Sequence, residues 1–241
     1  MIAIILAAGK GSRLYPYTKN KPKCLVRYQN KSIISHQLNI FKMTKIEKIY
    51  LVSGYKSSKI NFSTIIKKKN NKYKNTNMVF SLFKFSDLFD GKKDIIISYG
   101  DIIFKKSVIK KLIDEQNNLS TVVDLSWYSY WKKRFDDPLN DAETLKTDKN
   151  HFITEIGKKT KSYNNIKGQY IGLIKIRKEI SKKVLKIWQS LQKKKNINQI
   201  NNLYLTDFLR ILISKKLKLK AVYTRRGWLE FDQPSDLKIK F

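Results

Sequence analysis

The chain has 241 residues, 41% of them hydrophobic, enough to bury one sizeable core, and 51 Lys and Arg against 19 Asp and Glu give a net charge of +32. No apolar run approaches the roughly 18 residues of a membrane span, and the hydrophobic start lacks the basic flank and cleavage site of a secretory signal, so a cytoplasmic protein of one domain, residues 1–241, is expected. The charge nominates nucleic acid, but Lys, Asn and Ile are abundant together throughout, as AT-rich codon usage produces, and runs such as Lys67 to Lys69 and Lys193 to Lys195 lack interleaved aromatics; they read as solvated faces, not a specific nucleic-acid surface.

Met1 to Ile5 reads as a buried strand, and the glycines of Leu6 to Val26, LAAGKGSRLYPYTKNKPKCLV, fall where it ends. Gly9 and Gly11 permit close backbone approach, and the N–H groups from Gly9 to Leu14 can converge on an anion. Ser12 adds a hydroxyl, Arg13 a guanidinium fork and Lys23 an ammonium delivered after Pro22, a set that matches polyphosphate. A dinucleotide fingerprint is excluded because Leu14 stands where its third glycine belongs and no acid precedes Glu47; a Walker A loop is excluded because Gly9-Lys10 runs into Gly11. A purely structural glycine turn stays open. The single cysteine, Cys24, has no nearby His or acid to activate it and reads as a packed thiol.

The stretch resembles the signature of the nucleotidyltransferase family, L-A-A-G-x-G-[ST]-R-[LM]-x-P-x-T-x-x-x-P-K, which Leu6, Ala7, Ala8, Gly9, Gly11, Ser12, Arg13, Leu14, Pro16, Thr18, Pro22 and Lys23 satisfy. The resemblance implies nucleotide contacts from Leu6, Ala8, Gly9, Gly11, Ser12, Arg13 and Lys23.

Lys23 to Tyr28 reads as extended, Gln29 to Lys31 as a turn, and Ser32 as the cap of a helix from Ile33 to about Met43. Ile33, Ile34, Gln37, Leu38 and Phe41 share one face of it, Gln37 being the polar exception. His36, beside that stripe, reads as structural or solvated. Lys48 to Ser53 is a second strand, ended by Gly54-Tyr55 at the sheet edge where the glycine loop lies, which adds Gly54 to the nucleotide side. A basic helix-like stretch to about Lys69 and a polar connection precede a capped apolar segment, Asn75 to Leu82. That segment resembles the N-[MF]-x-x-[ST]-L element of phosphocholine-type cytidylyltransferases, implying nucleotide contacts for Asn77 and Ser81; a plain capped helix is the alternative.

Asp94 to Tyr99 is the nearly all-apolar strand expected at the centre of a parallel sheet. Asp101 follows at its end, facing the phosphate loop, where Mg²⁺ can neutralise phosphate charge; it corresponds to the family's metal-binding Asp. A helix from near Lys106 to about Gln116 leads to a strand at Thr121 to Asp124. Trp127 and Trp131 then share a helix face, which core packing could explain, and Arg134 with Asp141 and Glu143 could equally form a structural ion network. The run W-x3-W-x2-R-x3-P-L-x-D-A-E-T-L-K resembles a cytidylyltransferase subgroup of the CTP:phosphoglutamine type, a match that continues through Glu155 to Lys159 and Gly168 to Leu173. The resemblance implies acceptor contacts from Trp127, Trp131, Arg134, Asp141, Glu143 and Gln169. It also assigns Lys159 to the acceptor phosphate, with Lys158 as the alternative because the family's following proline is Thr160 here.

Glu143 to Thr147 and Phe152 to Gly157 alternate like a hairpin around Asp148-Lys149-Asn150, with His151 solvated at its tip. Tyr170 to Ile176 returns to the sheet. A helix from about Lys178 to Lys194 and a polar loop precede Leu203 to Asp207, which resembles the Y-[LM]-T-[DS] element of related enzymes, with Thr206 as a plain cap of the helix running to about Lys215 the alternative. Leu217 to Tyr223 is a late strand, and Trp228 to Asp232 an extended piece before a C-terminal helix led by Ser235. W-x-E-x-D-x-x-x-D-L matches the family's closing motif, in which Asp232 is the second Mg²⁺ ligand and Glu230 its substrate-binding neighbour. Internal repeats and Pro- or Gly-rich linkers are absent.

The resemblance thus implies a Rossmann-like α/β/α sandwich with a mostly parallel central sheet. It implies transfer of CMP from CTP to a small phosphorylated acceptor, with release of pyrophosphate, for capsule or surface-polysaccharide decoration. Arg13, Lys23, Asp101 and Asp232 carry the chemistry, and no general base is needed because a phosphate monoester is already deprotonated. Phosphoglutamine is the preferred acceptor; phosphocholine, a phosphonate, or a sugar 1-phosphate with UTP or dTTP are alternatives. A basic nucleic-acid-binding protein and a noncatalytic NTP-binding regulator are the non-enzyme alternatives, and a homodimer is open.

Overall fold

The computed structural model describes residues 1–194 and 196–241; within the basic run at Lys193 to Lys195, Lys195 lies outside the described residues. The first strand, β1 (Ile2–Ala7), is apolar at every position because both its faces are covered. Ala3 and Ile5 belong to one core, and Ile2, Ile4 and Leu6 to another on the opposite side of the sheet. After the glycine loop, β2 (Arg27–Tyr28) and β3 (Lys31–Ser32) form a small hairpin, and Ser32 caps α1 (Ile33–Lys42) by accepting from the Ser35 amide. Lys23 to Leu25 coil into a short 3-10 turn where an extended run was expected; only Arg27 and Tyr28 pair. The α1 face holds as expected, with Ile33, Ile34, Gln37, Leu38 and Phe41 all buried, and burial of each large apolar chain contributes about 1.5 to 3 kcal/mol. His36 is structural: its Nε2 lies 2.9 Å from the Tyr28 carbonyl.

Next come β4 (Lys48–Ser53) and β5 (Ile65–Lys69). The expected basic helix is this strand, preceded by a 3-10 turn at Ser57–Lys59. Its pairing with β4 leaves one edge open, and lysines on an open edge discourage association with another strand. The period-2 signal is hidden because both faces of the edge strand are lysine-bearing. The chain continues through α2 (Met78–Leu82), β6 (Ile95–Tyr99), β7 (Ile102–Phe104), α3 (Lys106–Asp114), β8 (Leu119–Asp124) and α4 (Trp127–Trp131). The hairpin expected after it is β9 (Glu143–Thr147) with β10 (Ile153–Lys159), followed by β11 (Gln169–Ile176). The helices α5 (Lys178–Lys194), α6 (Ile197–Asn201) and α7 (Leu205–Ser214) then lead to β12 (Leu219–Thr224) and β13 (Trp228–Glu230).

Three expectations need correction here. The polar loop before Leu203 contains α6, which one buried residue, Ile200, anchors. Thr206 does not cap α7: Tyr204 does, its amide donating to Asp207 Oδ2 at 2.9 Å, while Thr206 is buried. The C-terminal helix is a 3-10 turn, Pro234–Lys238, with Ser235 inside it.

Seven strands form one sheet in the order β12-β8-β11-β6-β1-β4-β5, and only β11 runs against its neighbours. Helices α1 and α3 cover one face and α5 and α7 the other, giving the Rossmann-like α/β/α sandwich expected from the sequence. The chain leaves β1 toward β4 and β5 on one side and returns to β6 on the other, so the strand order reverses beside β1, where parallel sheets open a ligand crevice. None of the described helices is long and apolar enough to cross a membrane.

The reversed strand crosses the sheet with a shift in register between Tyr170 and Ile174. Gly172 sits in that shift at φ +81°, and a Cβ there would stand 2.6 Å from the Tyr99 ring. Gly172→Ala should therefore destabilise the fold by about 2 to 3 kcal/mol, read as a lowered urea midpoint; an unchanged midpoint would show that β11 can relax at this point.

Candidate active site

The crevice beside β1 is a cleft of about 300 Å³, and its lining includes Leu6, Ala8, Gly9, Gly11, Ser12, Arg13, Lys23, Asn77, Ser81, Asp101 and Asp232, each anticipated from the sequence. Gly9 opens directly onto space: a Cβ there would meet nothing within 4 Å. Gly11 has a different task. Its φ of +66° turns the chain, and its Cα packs so closely on Lys23 that a Cβ would stand 2.9 Å from that residue's own Cβ. Thr18 closes the loop by donating to the Gly11 carbonyl at 2.9 Å. Gly54 does not border the cleft. It lies behind the loop, where a Cβ would strike the Ala8 carbonyl at 2.3 Å, so its role is close packing. Asn77 caps α2, its Oδ1 accepting from the Met78 amide, and Ser81 accepts from Asn70, so both serve the local fold while bordering the cleft.

Opposite the loop stand the carboxylates. Asp101 leaves the end of β6, and β13 pairs antiparallel with β7, Glu230 opposite Ile102, while the Phe231 amide donates to the Asp101 carbonyl. This ladder delivers Asp232 beside Asp101 although they are far apart in sequence. One oxygen from each of Asp101, Glu230 and Asp232 lies within 4.8 Å of the others. Lys23 Nζ donates to Asp101 Oδ2 at 2.7 Å and also to Asp232 Oδ1, and Arg13 reaches Asp232 Oδ2 at 2.9 Å. Burial pulls the Lys23 ammonium down, but Asp101 and Asp232 outweigh it and hold its pKa above the usual lysine range. Burial likewise pushes Asp232 up; Lys23, Arg13 and Arg134 overcome this and leave it below the usual carboxylate range. Glu230 goes the other way: burial, with Asp232 and Asp101 adding to it against Arg134, raises it to about 7. Cys24, at the cleft floor, is pushed up to about 12 by burial and stays an inert thiol.

Asp101 Oδ1 is buried and has no hydrogen-bond partner among the described residues. An unsatisfied buried carboxylate oxygen is costly, and three hard oxygen donors this close fit a divalent cation of the Mg²⁺ type.

The residues anticipated on the acceptor side divide. Arg134 does not pair with Asp141 or Glu143; its wholly buried guanidinium meets Glu230 at 2.7 Å, Asp236 at 3.1 Å and Asp232 at 3.9 Å, and so supports the carboxylates from behind. Asp236, the second Asp of the closing motif, is given no role by the sequence reading. Its Oδ2 accepts from the amides of Asp232 and Gln233 at 2.7 and 3.0 Å, fixing the turn that aims Asp232. Trp127 and Trp131 are 5% and 3% exposed and border no part of the cleft, so core packing accounts for them. The Trp131 indole N–H donates to Asp141 Oδ2 at 3.0 Å. Gln169 is buried and clamps the Glu143 backbone, donating to its carbonyl at 2.6 Å and accepting from its amide at 3.3 Å. Burial raises both Asp141 and Glu143, opposed by Arg134 at the first and reinforced by Asp141 at the second. Lys159 is exposed and opposite Glu143 in the hairpin register, whereas Lys158 pairs with Glu155 at 3.2 Å. Tyr99 and Tyr73 also line the cleft; as an ordinary strand end and a tyrosine in a polar connection, neither carried a sequence signal.

Comparison with known proteins gives the family and the fold. The nucleotidyl transferase family model matches residues 2–137. The CTP:phosphoglutamine cytidylyltransferase of Campylobacter jejuni subsp. jejuni serotype O:2 is 41% identical over 253 aligned residues, spanning all of this chain and 99% of that protein. A choline-phosphate cytidylyltransferase of Streptococcus pneumoniae is 38% identical over 34% of this chain and 38% of its own length. In fold, the CTP:phosphocholine cytidylyltransferase structure from S. pneumoniae superposes with a TM-score of 0.77 at 20% identity, covering 98% of this chain and 96% of that one. An inositol-1-phosphate CTP transferase from T. maritima superposes with a TM-score of 0.72 at 23% identity, covering 97% and 90%. With the family model matched over more than half its residues and a full-length relative at 41% identity, the chain belongs to the nucleotidyl transferase family and is an enzyme of that class.

Proposed function

We propose that the chain transfers CMP from CTP to the phosphoryl group of a small acceptor, phosphoglutamine first among the choices, releasing pyrophosphate. The observation that carries this reading is the full-length relative of that name, supported by carboxylates facing a glycine loop across one cleft. An acceptor phosphoryl oxygen attacks the α-phosphorus of CTP, a new P–O bond forms, and the bond to the β-phosphate oxygen breaks with its electrons leaving on pyrophosphate. Like charges oppose that approach, so the protein's task is to supply cations and fixed positions. The amides from Gly9 to Leu14, Ser12, Arg13 and Lys23 hold the β- and γ-phosphates and the departing pyrophosphate. Asp101 and Asp232, with Glu230 as a third oxygen, would hold Mg²⁺, which when bound neutralises charge on the α-phosphate and acceptor. Lys159 orients the acceptor phosphate; the Lys158 pair with Glu155 favours it over its neighbour. Asp141 and Glu143, assigned to the acceptor by the family resemblance, lie outside the residues that line the cleft and would be reached only by an acceptor extending beyond it.

Trp127 and Trp131 are buried away from the cleft and give it no aromatic wall, whereas Tyr73 and Tyr99 do line it, so the preference for phosphoglutamine over phosphocholine rests on the full-length relative. In this reading residues 1–241 act as one cytoplasmic domain, and the CDP-activated product feeds capsule or surface-polysaccharide decoration.

A pyrophosphate-release screen of CTP, UTP, dTTP and ATP against phosphoglutamine, phosphocholine, a phosphonate and glucose 1-phosphate should give the fastest turnover with CTP and phosphoglutamine. No turnover with CTP and any of these acceptors would sink the assignment. Asp101→Asn and Asp232→Asn should each lower kcat at least ~100-fold through lost electrostatic stabilisation; a kcat within a few-fold of the parent enzyme would remove that residue from the site. Glu143→Gln should raise the acceptor KM about 10-fold, equivalent to about 1.4 kcal/mol, with the CTP KM unchanged; equal effects on both would place Glu143 outside acceptor recognition.

A further inference from the structure

The apolar stripe of α1 carries one polar side chain, Gln37, and it is fully buried. A buried amide persists where its hydrogen bonds are met, and all three met here converge on one place. Nε2 donates to the carbonyls of Tyr99 and Ile102, both at 2.7 Å, and Oε1 accepts from the Ser98 hydroxyl at 2.9 Å. Tyr99 ends β6 and Ile102 begins β7. The two residues between those carbonyls are Gly100 and Asp101.

The corner is otherwise fastened on its other sides, by the Gly100 amide donating to the Leu6 carbonyl at 2.9 Å and the Phe231 amide donating to the Asp101 carbonyl at 3.0 Å. Gly100 packs closely on β1: a Cβ there would lie 2.7 Å from the Leu6 carbonyl oxygen. The two N–H bonds of one planar amide have a fixed angle between them, so Gln37 sets the spacing of the two carbonyls that flank Asp101. The Tyr99 and Ile102 carbonyls can only accept, which fixes Nε2 toward them and leaves Oε1 to accept from the Ser98 hydroxyl. The direction of the Asp101 carboxylate, with Oδ1 buried and unpaired, follows from that corner.

We propose that Gln37 is a positioning residue for Asp101: its bidentate clamp on the β6–β7 corner sets the aim of the carboxylate and hence the affinity of the site for a divalent cation. This rests on Asp101 being a cation ligand, as proposed above. No side chain of α1 reaches the cleft, so the effect is transmitted entirely through the backbone of the corner.

The test is a titration of substrate-free enzyme with Mn²⁺, followed by the EPR signal of the free ion, alongside kcat and the CTP KM. Gln37→Met keeps length and flexibility and removes both donors; it should weaken Mn²⁺ binding about 10-fold and lower kcat, with the CTP KM changed less than about 3-fold. Phe41→Leu on the same helix serves as the packing control, and it should lower the melting temperature while leaving Mn²⁺ affinity as in the parent. Equal Mn²⁺ affinity in the parent and Gln37→Met would overturn the proposal and leave Gln37 a packing residue. If Gln37→Met does not fold, Ser98→Ala carries the test, with an expected weakening of about 3-fold and unchanged affinity as the overturning result. Asp101→Asn separates the two levels: if it binds Mn²⁺ as the parent does, the ligand assignment falls and the clamp with it, whereas loss there beside normal binding in Gln37→Met rejects the clamp alone.

Discussion

Three carboxylates packed within 4.8 Å repel one another, and the organisation of this protein follows from containing that repulsion. At an effective dielectric of about 20, two unit charges at such a distance oppose each other by on the order of 3 to 4 kcal/mol. Lys23 and Arg13 approach from the loop side, and Arg134 enters from the interior. The division of labour has a cost in exposure: Arg13 is 72% exposed and free to follow a ligand, while Arg134 is wholly buried and cannot move. The interior cation therefore holds the carboxylates from a fixed place, and of the two loop cations Arg13 is the one with room to change partner, since Lys23 is enclosed between Asp101 and Asp232.

Such a cluster can be built only where separate strands end together. The central position of β6 and the reversal of strand order beside β1 bring the glycine loop and Asp101 to one crevice. The short pairing of β7 with β13 adds Asp232 from a distant part of the chain. The Asp232 turn leans on Asp236, which the interior arginine holds in turn while stacking over Trp131 of α4.

How much of this was readable in advance depended on how local the cause was. The loop, Asp101 and the α1 stripe were legible because each is written in adjacent residues or in a single helical period. Gln37 was visible as an exception but not explicable, since its partners lie more than sixty positions away. Arg134 was assigned the wrong acids for the same reason: Asp141 and Glu143 are near in sequence, whereas Glu230 and Asp236 are near in space. The tryptophans were misplaced because spacing of four fixes a shared face without saying which way it points. The edge strand β5 was lost because lysine masks alternation where neither face needs to be buried.

The β7–β13 ladder also sets an order in time. A chain growing from its N-terminal end makes the glycine loop, β1, β6 and Asp101 before Asp232 exists. Until the segment from Trp228 onward is made and paired, Lys23 faces a single acid and Arg134 lacks all three of its carboxylate partners. The carboxylate cluster is thus assembled from segments far apart in the chain and is complete only when β13 pairs with β7.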